Sequence, residues 1–427
     1  MNIISTVFWF IVIIVILVLV HEVGHFAAAR AFGVRVTEFM IGLPGPSVGF
    51  ERNGCRYGIT AIPLGGYNRI TGMEGGPENP NLAKVLAHVY RQGRTDIEHT
   101  AIACSLTDDE AETALMILDG WGSINAPGRS NKTDFYAAPA QGEYELGQPR
   151  EVLDPQALLD EERSHTYRSL SCVKRLVVLF AGPIMNLLLA LALFLIIFCG
   201  VGLTVPTTTI SNVVDGGPAQ MAGMQAGDTI VAVNGQETPD WNALIEATAA
   251  LSVGQNISVD YERDGVRTQA SLVVGANEDG APQLGIFAGQ AQQRLSVGEA
   301  IVTSWNFFVL TVQAYVNLFN PATAAQTVSQ STSVVGIAVL AERAASAGIV
   351  PLLYILAVVS LSLGIVNLVP LPPLDGGKIV VELIERVIGR EIPVKVINAV
   401  TIVVIVLLVI LFVVLLRQDI MNFIIGG

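Results

Sequence analysis

Two histidines and a glutamate stand together at His21-Glu-Val-Gly-His25. On a helix, positions i and i+4 share a face, so both imidazoles can reach one cation. Zn²⁺ takes neutral imidazole well and leaves a position open for water. Glu22 stands where it can lean toward that water and accept its proton as a general base. The spacing fits the His-Glu-x-x-His pattern of zinc peptidases, but five residues can match by chance in a soluble helix. The flank decides: Ile3 to Val20, directly before it, is 18 residues without a charge. Ionisable side chains at the end of such a run are costly and mark function. The plain alternative is a polar end to a membrane span.

A catalytic zinc site needs a third protein ligand. His88, His99 and His165 lie in a long insertion or its flank and are poorly placed. Asn367-Leu-Val-Pro-Leu-Pro-Pro-Leu-Asp375-Gly-Gly377 offers a carboxylate instead. Its three prolines break a helix and its glycines let the chain turn, so Asp375 can point inward. A role for Asp375 as N-cap of a helix over Lys378 to Val387 is the competing reading, and capping need not exclude ligation.

The elements that must hold these residues are long apolar runs. The 427-residue chain is 52% apolar with a mean hydropathy of +0.55. Besides the first run, Val177–Leu203, Ile349–Leu368 and Val396–Leu416 carry no charge. Each is long enough to cross about 30 Å of hydrocarbon. At 1.5 Å per residue His21 falls about 27 Å along the first, toward its far end. Met1 to Thr6 carries no Lys or Arg, so this run reads as a retained span rather than a signal peptide. Val297 to Leu318 contains Glu299, Asn306, Gln313 and Asn317 and reads as an interfacial or re-entrant helix.

Basic residues set the expected orientation. Arg30, Arg35, Lys174 and Arg175 flank the first two spans, and Lys378, Arg386, Arg390 and Lys395 lie between the last two. Residues 31–175 and 370–395 are therefore expected in the cytoplasm, with 204–348 and both termini outside. That puts His21, His25 and Asp375 at one membrane depth, near the cytoplasmic side. Cys55, Cys104 and Cys172 fall on the cytoplasmic side and Cys199 in a span, so no external disulfide is expected.

Between the first two spans, Arg56 to Tyr67 reads as strand, turn and strand, either dipping into the bilayer face or forming a plain surface hairpin. Leu82, Val85, Leu86 and Val89 form a helical stripe, as do Ala111, Ala114, Leu115 and Leu118. Thr95-Asp-Ile-Glu98 and Thr107-Asp-Asp-Glu110 read as capping boxes. Three short helices at this spacing look like a winged helix. Residues 74–162, however, hold 17 acidic against 6 basic side chains, and the whole chain carries −13. Nucleic acid is excluded as a main partner, because phosphate contacts need basic groups. A protein-docking or regulatory role and a plain spacer both stay open. Asn125 to Leu159 reads as loop or linker.

Outside, Ile210–Val214, Thr229–Val233, Ile257–Tyr261 and Thr268–Val274 read as strands and Trp241–Ala250 as a helix. Gly223-Met-Gln-Ala-Gly-Asp228-Thr-Ile-Val-Ala-Val-Asn-Gly235 resembles a PDZ domain, a fold that binds extended peptides at a sheet edge.

Four motifs together resemble the site-2 protease family. They are His21-Glu-Val-Gly-His25, Asn367 through Asp375-Gly, Ile62-Pro-Leu-Gly-Gly-Tyr67 and Ala181-Gly-Pro-Ile-Met-Asn186. The bacterial RseP-type branch, which carries PDZ domains, is the nearest pattern. The resemblance implies Zn²⁺ bound by His21, His25 and Asp375, with Glu22 activating water. It further implies that Asn367 helps hold substrate or the polarised carbonyl, that Asn186 lines the site, and that Gly65, Gly66 and Tyr67 guide an extended substrate strand. The implied reaction is cleavage of single-pass membrane proteins within their spans after a first protease has trimmed them, for example an anti-sigma factor, or clearance of signal peptides. The chain departs from the pattern at the 77–160 insertion, at Gly42-Leu-Pro-Gly-Pro46, at Ser333-Val-Val-Gly336 and in showing one PDZ-like copy where RseP has two.

The expected fold class is a polytopic α-helical membrane protein of four transmembrane helices, with an extracytoplasmic PDZ domain (α+β) and a cytoplasmic, mainly helical insertion. Its expected parts are the first transmembrane helix (1–33), a membrane-associated β-hairpin region (34–76) and the insertion (77–160, core 81–124). They continue with the second span (174–203), the PDZ domain (205–290) and an interfacial helix (295–320). The third span with the Leu-Asp-Gly region (349–395) and the fourth span (396–416) complete the chain. The bacterial inner membrane is the expected location. The expected partners are single-pass membrane substrates, a peptide or trimmed terminus at the PDZ domain, and a cytoplasmic protein at 77–160. The rival functions are an idle membrane scaffold and a divalent-metal transporter. Transporters usually show internal repeats, and none is visible among these four spans.

Overall fold

The computed structural model describes residues 3–62, 65–73, 79–128, 134–277 and 280–421. Pro63 and Leu64 of the hairpin motif, and residue 77 at the start of the insertion, lie outside this set. The chain forms two compact units, Met1–Phe194 with Ser304–Gly427, and Leu195–Thr303.

The first unit opens with α1 (Ile3–Ala31), 29 residues with apolar side chains on all sides, as a span surrounded by lipid requires. Four strands follow: β1 (Val36–Ile41), β2 (Ser47–Arg52), β3 (Cys55–Thr60) and β4 (Gly66–Ile70). They form one sheet in the order β2-β3-β1-β4. β3 and β4, expected to pair as a hairpin, instead lie on opposite sides of β1, parallel and antiparallel to it. The chain leaving α1 runs straight into β1 and takes the central place. The true hairpin is β2–β3, turned at Asn53-Gly54, where both residues have positive φ. Val48, Phe50 and Ile59 on this hairpin are exposed apolar side chains, an arrangement that suits lipid rather than water.

The insertion folds as α2 (Leu82–Gln92), β5 (Arg94–Thr95), α3 (Ile97–Cys104), α4 (Asp108–Gly120), β6 (Tyr136–Ala137) and α5 (Pro155–Ser164). The two stripes meet in one core of Leu82, Val85, Leu86, Val89, Ala114, Leu115 and Leu118. Thr107 and Glu110 form the expected capping box. At α3 the cap is Asp96, which accepts from His99 N at 2.8 Å, because Thr95 is used in β5. Helix α5 begins inside the expected linker: Asp154 caps it and Pro155 sets its first turn.

Next come α6 (Cys172–Leu195), then unit two. Its elements are β7 (Leu203–Val213), α7 (Pro218–Met221), β8 (Thr229–Val233), β9 (Gln236–Glu237), α8 (Trp241–Ala249), β10 (Asn256–Arg263), β11 (Val266–Val273), β12 (Gly275–Ala276), β13 (Pro282–Gln283) and β14 (Ile286–Gln293). The main sheet runs β11-β10-β8-β7-β14, so β14 is an edge strand. Ile210, Ile230, Val233, Leu244, Val259 and Leu272 fill the core between sheet and α8. The chain then forms α9 (Val297–Leu318), α10 (Ala324–Gln330), α11 (Val334–Ala347), α12 (Ile349–Val366), α13 (Asp375–Ile388) and α14 (Val394–Ile420). Among the described residues four helices are long and apolar enough to cross a membrane: α1, α6 with its continuation to Val201, α12 and α14.

Asp228 is the one carboxylate buried in unit two among the described residues, and Arg263 answers it through Nε at 2.6 Å and Nη2 at 2.7 Å. The guanidinium, with the Gln225 N–H, holds this carboxyl below the usual carboxylate range. A depressed folded-state pKa gives stability that is complete above about pH 4 and is lost as pH falls through the folded value. Amide exchange at Ile230 and Val233 should therefore show falling protection on acidification below about pH 4. Asp228→Asn should weaken that acid dependence, and an unchanged acid profile would contradict the assignment.

Candidate metal centre

The site begins with helix periodicity. α1 stacks His21 and His25 one turn apart, and both are buried at 9% and 6% exposure. α6 crosses α1 at this point because neither helix has a side chain in the way. A Cβ on Gly24 would lie 2.4 Å from the Ala181 carbonyl oxygen, and one on Gly182 would lie 2.2 Å from His25 Nε2. The Ala181-Gly-Pro motif is therefore a cradle for the second imidazole. Once seated, His25 donates from Nδ1 to the Val178 carbonyl at 2.8 Å, which leaves a lone pair on Nε2.

Asp375 arrives from the end of α12. The Asn367 carbonyl accepts from Gly376 N at 2.7 Å and folds the proline loop back on itself. Gly376 and Gly377 have no room for a Cβ, which would fall within 2.4 Å of the carbonyl of Leu368 or Val369, or of Pro372 N. Asp375 opens α13 without capping it and instead points across to α1. Its Oδ2 lies 3.0 Å from His21 Nε2 and 3.2 Å from His25 Nε2, and the two Nε2 atoms are 3.2 Å apart. Lys378 Nζ is 3.5 Å from the other oxygen, Oδ1.

Three electron-rich atoms thus converge within 3.2 Å of one another. Tetrahedral zinc with bonds of 2.0–2.1 Å separates its ligand atoms by about 3.3 Å. The donor set and spacing fit such an ion, and among the described residues this is the one cluster of its kind.

The other expected site residues divide. Glu22 is half-buried, and β4 lies alongside it: a Cβ on Gly66 would be 3.4 Å from Glu22 Cγ, and Asn68 Nδ2 donates to the Glu22 carbonyl at 2.6 Å. Gly65 accepts from Gly42 N at 2.8 Å, and the Tyr67 hydroxyl is turned to Glu38 at 3.1 Å. Asn186 is fully buried, its Nδ2 3.5 Å from His21 Nδ1. His88, His99 and His165 bond to Thr95, Asp96 and the Gly33 carbonyl, away from the cluster.

Two groups had no signal in the motifs. One is Asn68, visible only once β4 is paired with β1. The other is an ionic layer on α13: Arg168 meets Glu385 at 2.9 Å and Arg175 meets Glu382 at 2.8 Å. Burial pushes the Glu382 carboxyl up, against the pull of the two arginines. A parallel pair, Arg35 to Glu162 at 2.8 Å, ties the chain just beyond α1 to α5.

Gly182→Ala places a methyl where the His25 ring stands, and neither α1 nor α6 backbone can retreat cheaply. The variant should insert into membranes normally yet lose bound divalent metal, measured as metal-to-protein ratio after purification. Full metal content would contradict the cradle.

Known proteins are similar to this chain over most of its length or over one part of it. Zinc metalloprotease RasP of Shouchella clausii is 27% identical over 91% of this chain and 92% of its own length. Zinc metalloprotease RasP of Oceanobacillus iheyensis is 29% identical over 91% of this chain and 92% of its own. The PDZ domain of an SdrC-like protein from Listeria monocytogenes matches 21% of this chain and 93% of its own, at 25% identity and a TM-score of 0.19. The profile of peptidase family M50 spans residues 9–411, and the chain belongs to that family.

Proposed function

We propose that this protein is a zinc-dependent intramembrane endopeptidase, with His21, His25 and Asp375 as metal ligands and Glu22 as general base. The observation that carries the reading is the convergence of three buried ligand atoms at tetrahedral-edge spacing. Zinc in that site supplies a Lewis acid that polarises a carbonyl and makes water nucleophilic near neutral pH. Glu22, on the same helix and beside the substrate-facing sheet, takes the proton of the attacking water and returns it to the leaving amine.

β4 supplies the substrate track. Among the described residues it pairs only with β1, so its outer edge carries unpaired backbone groups. A substrate segment that has unwound can add there as a further strand, with its scissile carbonyl beside Glu22. Gly66 matters because any side chain would meet Val18 and Glu22. Tyr67 contributes backbone rather than its hydroxyl, which Glu38 already holds. Asn367, whose carbonyl folds the proline loop back at Gly376, helps hold substrate or the polarised carbonyl. A helical span hides its carbonyls in hydrogen bonds, so helix-breaking residues should mark the cleavage site.

Unit two acts as the docking module. We read it as a PDZ domain with a groove of about 440 Å³ between α8 and the edge strand β14, lined by Trp241, Leu244, Ile245, Thr248, Pro282 and Ile286. An extended peptide terminus, such as that left by prior trimming, fits an edge strand beside an apolar helix. The distribution of basic residues supports an inner-membrane orientation with unit two outside and the zinc site toward the cytoplasm. The 77–160 insertion then faces the cytoplasm as a platform for a protein partner.

Glu22→Gln separates this reading from a scaffold or a transporter. It should keep zinc at wild-type stoichiometry and lose cleavage of a membrane-embedded substrate by at least about 100-fold. Retained cleavage would rule out Glu22 as the base. Deleting 205–290 should admit untrimmed substrates, read as their cleavage in reconstituted vesicles. No change in their turnover would contradict the docking role.

A further inference from the structure

We infer that Asn186 is a positioning residue that fixes the His21 imidazole in the one tautomer able to bind the metal. The inference rests on the zinc reading above and departs from a substrate-lining role for this residue. Asn186 has no exposed surface, so it offers nothing to a substrate. It does face the back of the metal cluster.

His21 Nε2 is the atom 3.0 Å from Asp375 Oδ2 and 3.2 Å from His25 Nε2, so Nε2 must present its lone pair to the cation. A neutral imidazole then carries its proton on Nδ1 and needs an acceptor there. For His25 that acceptor is the Val178 carbonyl on α6, at 2.8 Å. For His21 the group in place is the Asn186 carboxamide, two helical turns further along α6, at 3.5 Å. Asn186 Oδ1 is a buried acceptor without a hydrogen-bond partner. A carboxamide turned end for end keeps its shape, and that turn brings Oδ1 to His21 Nδ1–H. The Asn186 backbone is held by Ser360, whose hydroxyl donates to its carbonyl at 2.8 Å, so α12 steadies the residue. One face of α6 therefore supplies both acceptors, a peptide carbonyl for one ligand and a side-chain carbonyl for the other.

The test uses the full chain in detergent, with zinc affinity measured by competition against a chromophoric chelator. Asn186→Leu keeps the volume and removes the acceptor, and should weaken zinc binding about 10- to 100-fold. Asn186→Asp keeps an acceptor at the same reach and should stay within about threefold of wild type. If the leucine variant does not assemble, Asn186→Ser, too short to reach His21, gives the same comparison. Leucine or serine variants that bind zinc as wild type does would overturn the inference, as would an aspartate variant as weak as the leucine one. A raised KM at unchanged zinc affinity would also overturn it, in favour of a substrate contact. A wild-type chain that binds no zinc at all would instead bring down the zinc reading itself.

Discussion

Two imidazole nitrogens and a carboxylate oxygen, buried and within 3.2 Å of one another, repel unless a cation sits among them. Every larger feature of the first unit can be read as holding that unfavourable cluster together. The proposed ligands come from α1 and from the start of α13, 350 residues apart, so no local element fixes their spacing. α6 does so by packing through Gly24 and Gly182 on one side, and the folded proline loop does so on the other. The metal and the packing are thermodynamically linked: binding energy of the ion is in part energy of helix assembly.

A second layer steadies the first from outside the apolar region. α13 carries Asp375 at its head and Glu382 and Glu385 two and three turns on, where Arg168 and Arg175 hold them. α1 ends near Arg35, which is held by Glu162 from the insertion, and Glu162 also accepts from Ser123 at 2.7 Å. Breaking one partner of a buried pair costs far more than the pair contributes over an apolar replacement, so these pairs act as locks on geometry rather than as sources of stability. The Arg35–Glu162 pair joins the insertion's last helix to the chain just beyond α1.

Much of this was legible in residue order alone. Spans, the metal-ligand spacing and the insertion's two apolar stripes are periodic signals, and periodicity survives without a structure. The Leu-Asp-Gly loop was legible because prolines and glycines restrict the backbone in known ways. What was not legible was strand partnership: β1 is short, and nothing in its composition says that it separates β3 from β4. Nor does composition reveal α5, a polar helix whose stripe holds only Leu158 and Leu159 against the insertion core. The Asp96 cap shifted by one residue because Thr95 was claimed by a two-residue ladder with Tyr136. Asn186 stood in a recognised motif, yet its burial against His21 is a three-helix property that one helix cannot announce.

The central claim is that one metal ion joins α1 to α13 through two histidines and one aspartate. X-ray absorption at the zinc edge of the purified full-length chain tests it directly. The expected result is a low-coordinate shell of nitrogen and oxygen near 2.0–2.1 Å, with the outer-shell scattering of two imidazoles and no sulfur. A shell containing thiolate sulfur, or the scattering of three or more imidazoles, would contradict it.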